Sequence, residues 1–215
     1  IICVTYQDVE PYVSENIPLI SLDRHFHKKV SCISSDNYHG GELAAQKMIS
    51  TGSRHLLYLR NGSEISGETL KRGKGFKSYC DAHGVSCETL NLGDDFDLVR
   101  GKTSVEEVLR NFIISARKTG KMRYDGIYTS TDLLAKALLE QLQFLGVEVP
   151  EEVQLVGHDG MQWMNSGKYL VSTIVQPVPD MARKAVELLL KKIKGEEIET
   201  LTILPVEFAE GGTTR

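Results

Sequence analysis

The chain has 215 residues, enough for one large domain or for two lobes of about 100 residues each. Hydrophobic residues make up 41% and charged residues 25%, which excludes a disordered tail or a fibre. The net charge of -4 argues against a chain that grips phosphate backbones by itself. No apolar run reaches the ~18 residues that span a bilayer, so no membrane segment is expected.

In chain order, short aliphatic and β-branched segments alternate with longer amphipathic ones. The predicted strands are 1–6, 18–23, 30–34, 55–59, 87–92, 125–130, 153–158 and 171–176. Several are apolar without alternation, as strands buried on both faces of a parallel sheet should be. The predicted helices are clearly punctuated. One starts at Asp36 and stops at Gly52, and the next ends at Gly84. A third opens at Thr103 or Ser104 with acids in its first turn and runs to Gly120. A fourth follows Asp132, read as its N-cap, carries Leu134, Leu138, Leu142 and Leu145, and stops at Gly146. The last begins at Asp180 after Pro177 and Pro179 and ends in lysines and Gly195. This alternation predicts an α/β fold with right-handed crossovers, and no internal repeat interrupts it.

In such folds ligands bind beyond the carboxyl ends of the strands, so polar residues at strand exits are the candidates. They are Asp23, Arg72 (delivered by the loop after strand 55–59), Phe96, Thr131 with Asp132, His158 with Asp159, and Gln176. Each alone has a plain structural reading: a surface turn for Asp23, a solvated helix start for Arg72, core for Phe96, a turn for Asp159–Gly160, and backbone capping before a proline for Gln176. Together, carboxylates, a guanidinium, an amide and an aromatic ring suit a sugar. Acids and amides bind vicinal hydroxyls in pairs, arginine offers a fork of donors, and a ring stacks on the C–H face.

Catalytic and metal signatures are weak. His25 and His27, two apart beside Asp23, would share a face in a strand, but no second ligand cluster and no HExxH accompanies them. His158–Asp159 lacks a GxSxG nucleophile, and there is no GxxxxGK[ST] or GxGxxG phosphate loop. Cys3, Cys32, Cys80 and Cys87 form no CxxC pair and are read as reduced thiols of a cytoplasmic protein. No signal peptide is visible, although the opening "IICVTY" reads as a strand already under way.

Longer blocks carry a resemblance. "PLISLDRHF" and "SDNYHGGELAAQKMISTGSRHLLYL", then "RGKGFKSYCDAHGV", then "YDGIYTSTDLLAKALLEQLQFLGVEVPEEVQLVGHDG", then "VSTIVQPVPDMARKAVELLLKKIKGE" and the closing "ILPVEFAEGGTTR" follow one another in register from about residue 18 to the end. They resemble the LacI/GalR family of transcriptional repressors, and "SDNYHGGELAA" with "GDDFDLVR" is similar to the sucrose operon repressors within it. The resemblance implies a two-lobed fold like the type I periplasmic binding proteins, with parallel sheets flanked by helices and sugar held in the inter-lobe cleft. It implies crossovers at Ser35–Asp36, at Gln176–Val178 and near Pro205. The first lobe is then 1–35 with 178–205, truncated at its N-terminal side, and the second is 36–177 with 206–215. A DNA-binding helix-turn-helix is expected upstream, outside this chain.

By the same resemblance, Asp23, Arg72, Phe96, Thr131, Asp159 and Gln176 fall where the family contacts its effector. Thr131 stands in place of the usual asparagine, His158 in place of an aromatic, and Gly160 in place of a second aspartate. The expected function is a sugar-responsive effector-binding and dimerisation domain, with a sugar or sugar phosphate as effector, a second copy and operator DNA as partners, no cofactor, no metal and no enzymatic activity. The alternatives are a transporter's periplasmic or lipid-anchored sugar-binding protein and, in another class, a small-molecule enzyme on an α/β fold.

Overall fold

A computed structural model describes residues 12, 17–26, 30–61, 67–93, 105–162 and 169–215. The expected strand at 1–6, His27, the phenyl ring of Phe96 and the cap at Thr103 or Ser104 lie outside the described residues. The chain separates into two compact units, Ile1–Asn37 with Gln176–Val206, and Tyr38–Val175 with Glu207–Arg215.

In the first unit, β1 (Ile20–Leu22) and β2 (Ser31–Ser35) run parallel, and β10 (Leu201–Leu204) lies parallel on the other side of β2. One helix, α5 (Val178–Ile193), covers them. It starts where the sequence places two prolines, one of them within its first turn, and finishes on Lys191 and Lys192, which complement the carbonyl end of the helix dipole. Its apolar stripe, Met181, Ala185 and Leu188, buries against Ile20 and Ile33.

The second unit is a six-stranded sheet in the order β11-β9-β8-β7-β3-β4. Here β3 is His55–Arg60, β4 Ser86–Asn91, β7 Gly126–Thr129, β8 Gln154–Asp159, β9 Ser172–Val175 and β11 Glu207–Ala209. All neighbours are parallel except β11 on β9. Helices α1 (Asn37–Ser50), α2 (Gly67–Ala82), α3 (Val105–Ala116) and α4 (Asp132–Phe144) connect the parallel strands. The central strands are buried along almost their whole length, while the edge strand β4 is largely exposed. Apolar runs without alternation therefore mark the middle of the sheet, as a doubly covered sheet requires. Leu134, Leu138 and Leu142 of α4 meet Leu109 and Ile113 of α3 and Ile127 and Leu155 of the sheet in one core. The tail closes the same sheet: Leu155 N donates to Thr213 O (2.9 Å), and the Thr213 hydroxyl donates to Leu155 O (2.6 Å).

Two expectations are corrected. The helix expected to run to Gly120 ends at Ala116; Arg117–Lys118 (β5) then pairs antiparallel with Lys121–Met122 (β6) around Thr119 and Gly120, both at positive φ. The Arg117 guanidinium donates to Gly120 O and Leu145 O and fixes this ribbon, an interaction that helical periodicity does not reveal. The N-cap of α4 is Thr131 rather than Asp132: its backbone is extended, and its hydroxyl accepts from Leu134 N at 3.2 Å. Asp132 is drawn inward instead, for a reason that lies in the site.

Candidate functional site

The carboxyl ends of β3, β7 and β8 bring together Asn61, Ser130 and Asp159 of the second unit. Arg72, on the second turn of α2, reaches this edge. Its side chain is buried, 6% exposed, and Nη1 donates to Ser130 O at 2.5 Å and to Asp159 Oδ1 at 3.3 Å. The Ser130 hydroxyl in turn donates to Asn61 Oδ1 at 3.3 Å. A buried guanidinium held by a carbonyl and a carboxylate is rigid, and its fork keeps a fixed direction. The Asp159 side chain remains 31% exposed and can accept hydrogen bonds from solvent or a ligand.

Aromatic rings underlie this edge. Tyr58, Phe76 and Tyr128 stack in tilted contacts with centroids 5.0–6.4 Å apart, a spacing that favours edge-on and offset ring pairs. His158 joins them fully buried, with Nδ1 2.6 Å from the Tyr128 hydroxyl. Burial, helped by the Arg72 charge, holds its pKa well below the usual histidine range, so the ring is neutral and Tyr128 donates to it. The same burial raises the Tyr128 phenol well above its ordinary value. His158 therefore orients Tyr128 and fills the layer below Arg72, the packing role expected of a residue standing where an aromatic ring was anticipated.

Asp132 is the residue the sequence misplaced. It is fully buried; Oδ1 accepts from the Thr173 hydroxyl and Oδ2 from Met161 N, both at 2.6 Å. Thr173 also accepts from Gly160 N at 3.3 Å. One carboxylate on α4 thus grips both Met161, just past the end of β8, and the neighbouring strand β9, and fixes the turn that carries Asp159. The turn is tight: Asp159 sits at φ +126 and Gly160 at φ +80. Burial pushes the Asp132 carboxyl from 3.8 up to about 6, against the opposing pull of its hydrogen bonds to Thr173 and Met161. Gly157 makes the arrangement possible, because a Cβ there would stand 2.1 Å from Asp132 Oδ1. That glycine, two before Asp159 in "LVGHDG", was the one sequence signal for a close approach at this point.

The remaining expected residues are distributed as follows. The Thr131 hydroxyl accepts the capping bond from Leu134 N, so what it retains for a ligand is its own proton. Asp23 and Gln176 belong to the first unit. Asp23 stands just past β1 at φ +51, with Oδ1 accepting from the Ser34 hydroxyl (2.9 Å) and Ser35 N (3.2 Å). Gln176 follows β9, and its carbonyl accepts from Val178 N at 2.8 Å as the chain turns into α5. Phe96 is outside the described residues. Tyr128, Thr173 and Asn61 were not singled out in the sequence: a hydroxyl inside a strand run looks like any other strand residue, and Asn61, just past β3, opens a polar loop where an amide is ordinary. Among the described residues no group of three or more His, Cys, Asp or Glu could hold a metal ion, and no helix is long and apolar enough to cross a membrane.

Residues 45–214 match the periplasmic binding protein-like domain family. The chain is 27% identical over 203 residues to a sucrose operon repressor of Streptococcus mutans, covering 94% of this chain and 59% of the relative. It is 29% identical over 216 residues to a ribose operon repressor of Bacillus subtilis, covering 100% of this chain and 63% of the relative. It therefore spans about three fifths of the length of these repressors. Among solved structures, a periplasmic binding protein/LacI transcriptional regulator from Alkaliphilus metalliredigens complexed with D-xylulofuranose is 28% identical. It superposes with a TM-score of 0.77 over 96% of this chain and 74% of that one. An α/β chain of parallel sheets with a polar cluster at the strand exits, matched over most of its length by this family, belongs to the periplasmic binding protein-like domain family.

Proposed function

We propose that this chain is the sugar-sensing part of a transcriptional repressor of a carbohydrate-utilisation operon. The observation that carries the reading is the buried Arg72 guanidinium, fixed by Ser130 O and Asp159 at the carboxyl edge of a parallel sheet, with Asp159 still open to accept hydroxyls. The sucrose and ribose operon repressors among its relatives, and the D-xylulofuranose bound by the A. metalliredigens regulator, support a saccharide as effector. In this reading Arg72 donates to a ring or hydroxyl oxygen and Asp159 accepts from a vicinal hydroxyl. Thr131 offers one proton where an asparagine would offer an amide. Asp23, Gln176 and Phe96 come to this reading through the family resemblance, as further residues for the effector. The chemistry is recognition without turnover, and the setting is cytoplasmic.

The mechanism follows from linkage. A sugar shifts a repressor between DNA-binding and released states only by its different affinity for the two. A homodimer carrying helix-turn-helix heads upstream of this chain would convert that shift into operator affinity. Titration calorimetry of the full-length protein with sucrose, fructose, ribose, xylulose and their phosphates tests the reading. One sugar or sugar phosphate should bind, and Arg72→Ala should abolish its heat. Absence of binding by the whole panel, or Arg72→Ala binding like wild type, overturns the site.

A further inference from the structure

The helix that presents Arg72 to the sheet edge has a second face. On α2, Leu70, Gly73, Lys74 and Lys77 stand at i, i+3, i+4 and i+7 and form one stripe along the helix. The sheet offers a matching patch: Tyr58 and Arg60 alternate onto one face of β3, and Thr89 of β4 is the register partner of Tyr58. The stripe and the patch line a cavity of about 160 Å3, and neither Arg72 nor Asp159 is among its lining residues. Gly73 lets the Tyr58 ring lie against the helix, because a Cβ there would stand 2.5 Å from Tyr58 Cε1. The Tyr58 hydroxyl is occupied by Thr69 O at 2.7 Å, so what Tyr58 gives a ligand is its ring. Leu70 adds an aliphatic wall. Three cations border this apolar floor. Arg60 is buried, Lys77 is held by Asp81 Oδ1 at 3.1 Å, and Lys74 is exposed with no ion pair among the described residues. Like charges gathered at one hollow favour an anion, the more so over a floor that keeps water away. A single water needs roughly 10–15 Å3 of such space and drug-sized sites offer about 300–1,000 Å3, so the cavity takes a compact ligand and not a nucleotide.

We propose that this cavity is a second ligand site, separate from the arginine edge, for a compact phosphomonoester. The phosphate, with a charge of about -2 at neutral pH, sits among Lys74, Lys77 and Arg60. The short carbon body lies on the Tyr58 ring and Leu70, and the Thr89 hydroxyl supplies a further donor from β4. A phosphomonoester is preferred to a carboxylate because three cations match a dianion with three terminal oxygens. The site requires no sugar, so it stands or falls separately from the effector site.

The test is calorimetric titration of the full-length protein at low salt with n-butyl phosphate, inorganic phosphate, pentanoate and n-butanol. Butyl phosphate should bind, and inorganic phosphate should bind more weakly by about tenfold, the worth of roughly two buried methylenes. Butanol should give no heat, and pentanoate should fall below butyl phosphate. Lys74→Met keeps the aliphatic stem of an exposed side chain and removes only its charge, so it should weaken butyl phosphate several-fold. Thr89→Trp, on the exposed edge strand, fills the cavity and should abolish binding while the circular dichroism spectrum stays that of wild type. Absence of butyl phosphate binding overturns the proposal, as does inorganic phosphate or pentanoate binding as tightly. Butyl phosphate bound equally by wild type, Lys74→Met and Thr89→Trp overturns it too, because the anion then sits elsewhere, the arginine edge included.

Discussion

Replacing Asp132 with alanine probes the buried clasp directly, and its effect depends on pH in a direction the structure fixes. At pH 7 the variant loses the acceptor of Met161 N, a part-buried donor, at a cost of about 1 kcal/mol. The Thr173 hydroxyl keeps a weaker acceptor, Ile174 O at 3.4 Å. Against this loss, the variant is relieved of a buried anion whose carboxyl is raised from 3.8 to about 6, a relief of about 3 kcal/mol. The two effects oppose each other, and a net change within about 2 kcal/mol is expected at neutral pH. The sign of the pH term is unambiguous. A carboxyl with a raised folded pKa contributes stability that is fully present below the unfolded value of 3.8 and is lost as pH rises through about 6. Wild type therefore gains about 1.3 kcal/mol on going from pH 7 to pH 5, relative to a variant without the group. On protonation Oδ1 becomes the donor, and the Thr173 hydroxyl turns to accept. Urea unfolding of both proteins at pH 5, 6 and 7, followed by far-ultraviolet circular dichroism, measures the difference. A stability gap between wild type and Asp132→Ala that stays constant or shrinks towards pH 5 would refute the reasoning.

Four further outcomes are expected. Gly75→Ala places a methyl 1.9 Å from the Tyr38 carbonyl, helix backbone against helix backbone, so α1 and α2 must part; a cost of about 3 kcal/mol and a Tm lowered by roughly 6–12 °C should appear in a thermal melt. Tyr128→Phe strips the hydroxyl that bonds His158 Nδ1 and should cost about 1–2 kcal/mol in urea unfolding. In the native protein the His158 ring resonances should not titrate between pH 5.5 and 8 by NMR, because burial and Arg72 keep the ring neutral there. Arg72→Lys retains charge but replaces a fork by a point donor, and should weaken the responsive sugar by about tenfold or more in calorimetry while leaving the circular dichroism spectrum unchanged.

How much of the site was legible differs residue by residue. Arg72 and Asp159 were visible because both follow strands whose apolar runs end abruptly, and ligands gather at such exits. Thr131 and Asp132 were visible as a pair but assigned in the wrong order. Either can cap a helix, and the choice was made by burial: Gly157 opens a slot for a carboxylate, Met161 N and the Thr173 hydroxyl wait in it, and Asp132 fills it. Tyr128, equally central, sits inside a strand run and gave no signal until His158 was placed beside it.

The sequence by itself determined the alternation of the main strands and helices as far as α5, though not the strands at Leu201–Leu204 and Glu207–Ala209, together with the parallel character of the main sheet and most helix ends, because apolar run length, caps, prolines and glycines act within a few residues of where they stand. It also carried the family resemblance, spread over many short blocks in register. Only the tertiary structure decided that a short ribbon interrupts the chain after α3, that Thr131 caps α4, that Asp132 clasps the turn bearing Asp159, and that a neutral histidine supports the arginine edge. Those outcomes depend on which polar groups lose water and which partners they meet there, and those partners come from strands and helices far apart in the chain.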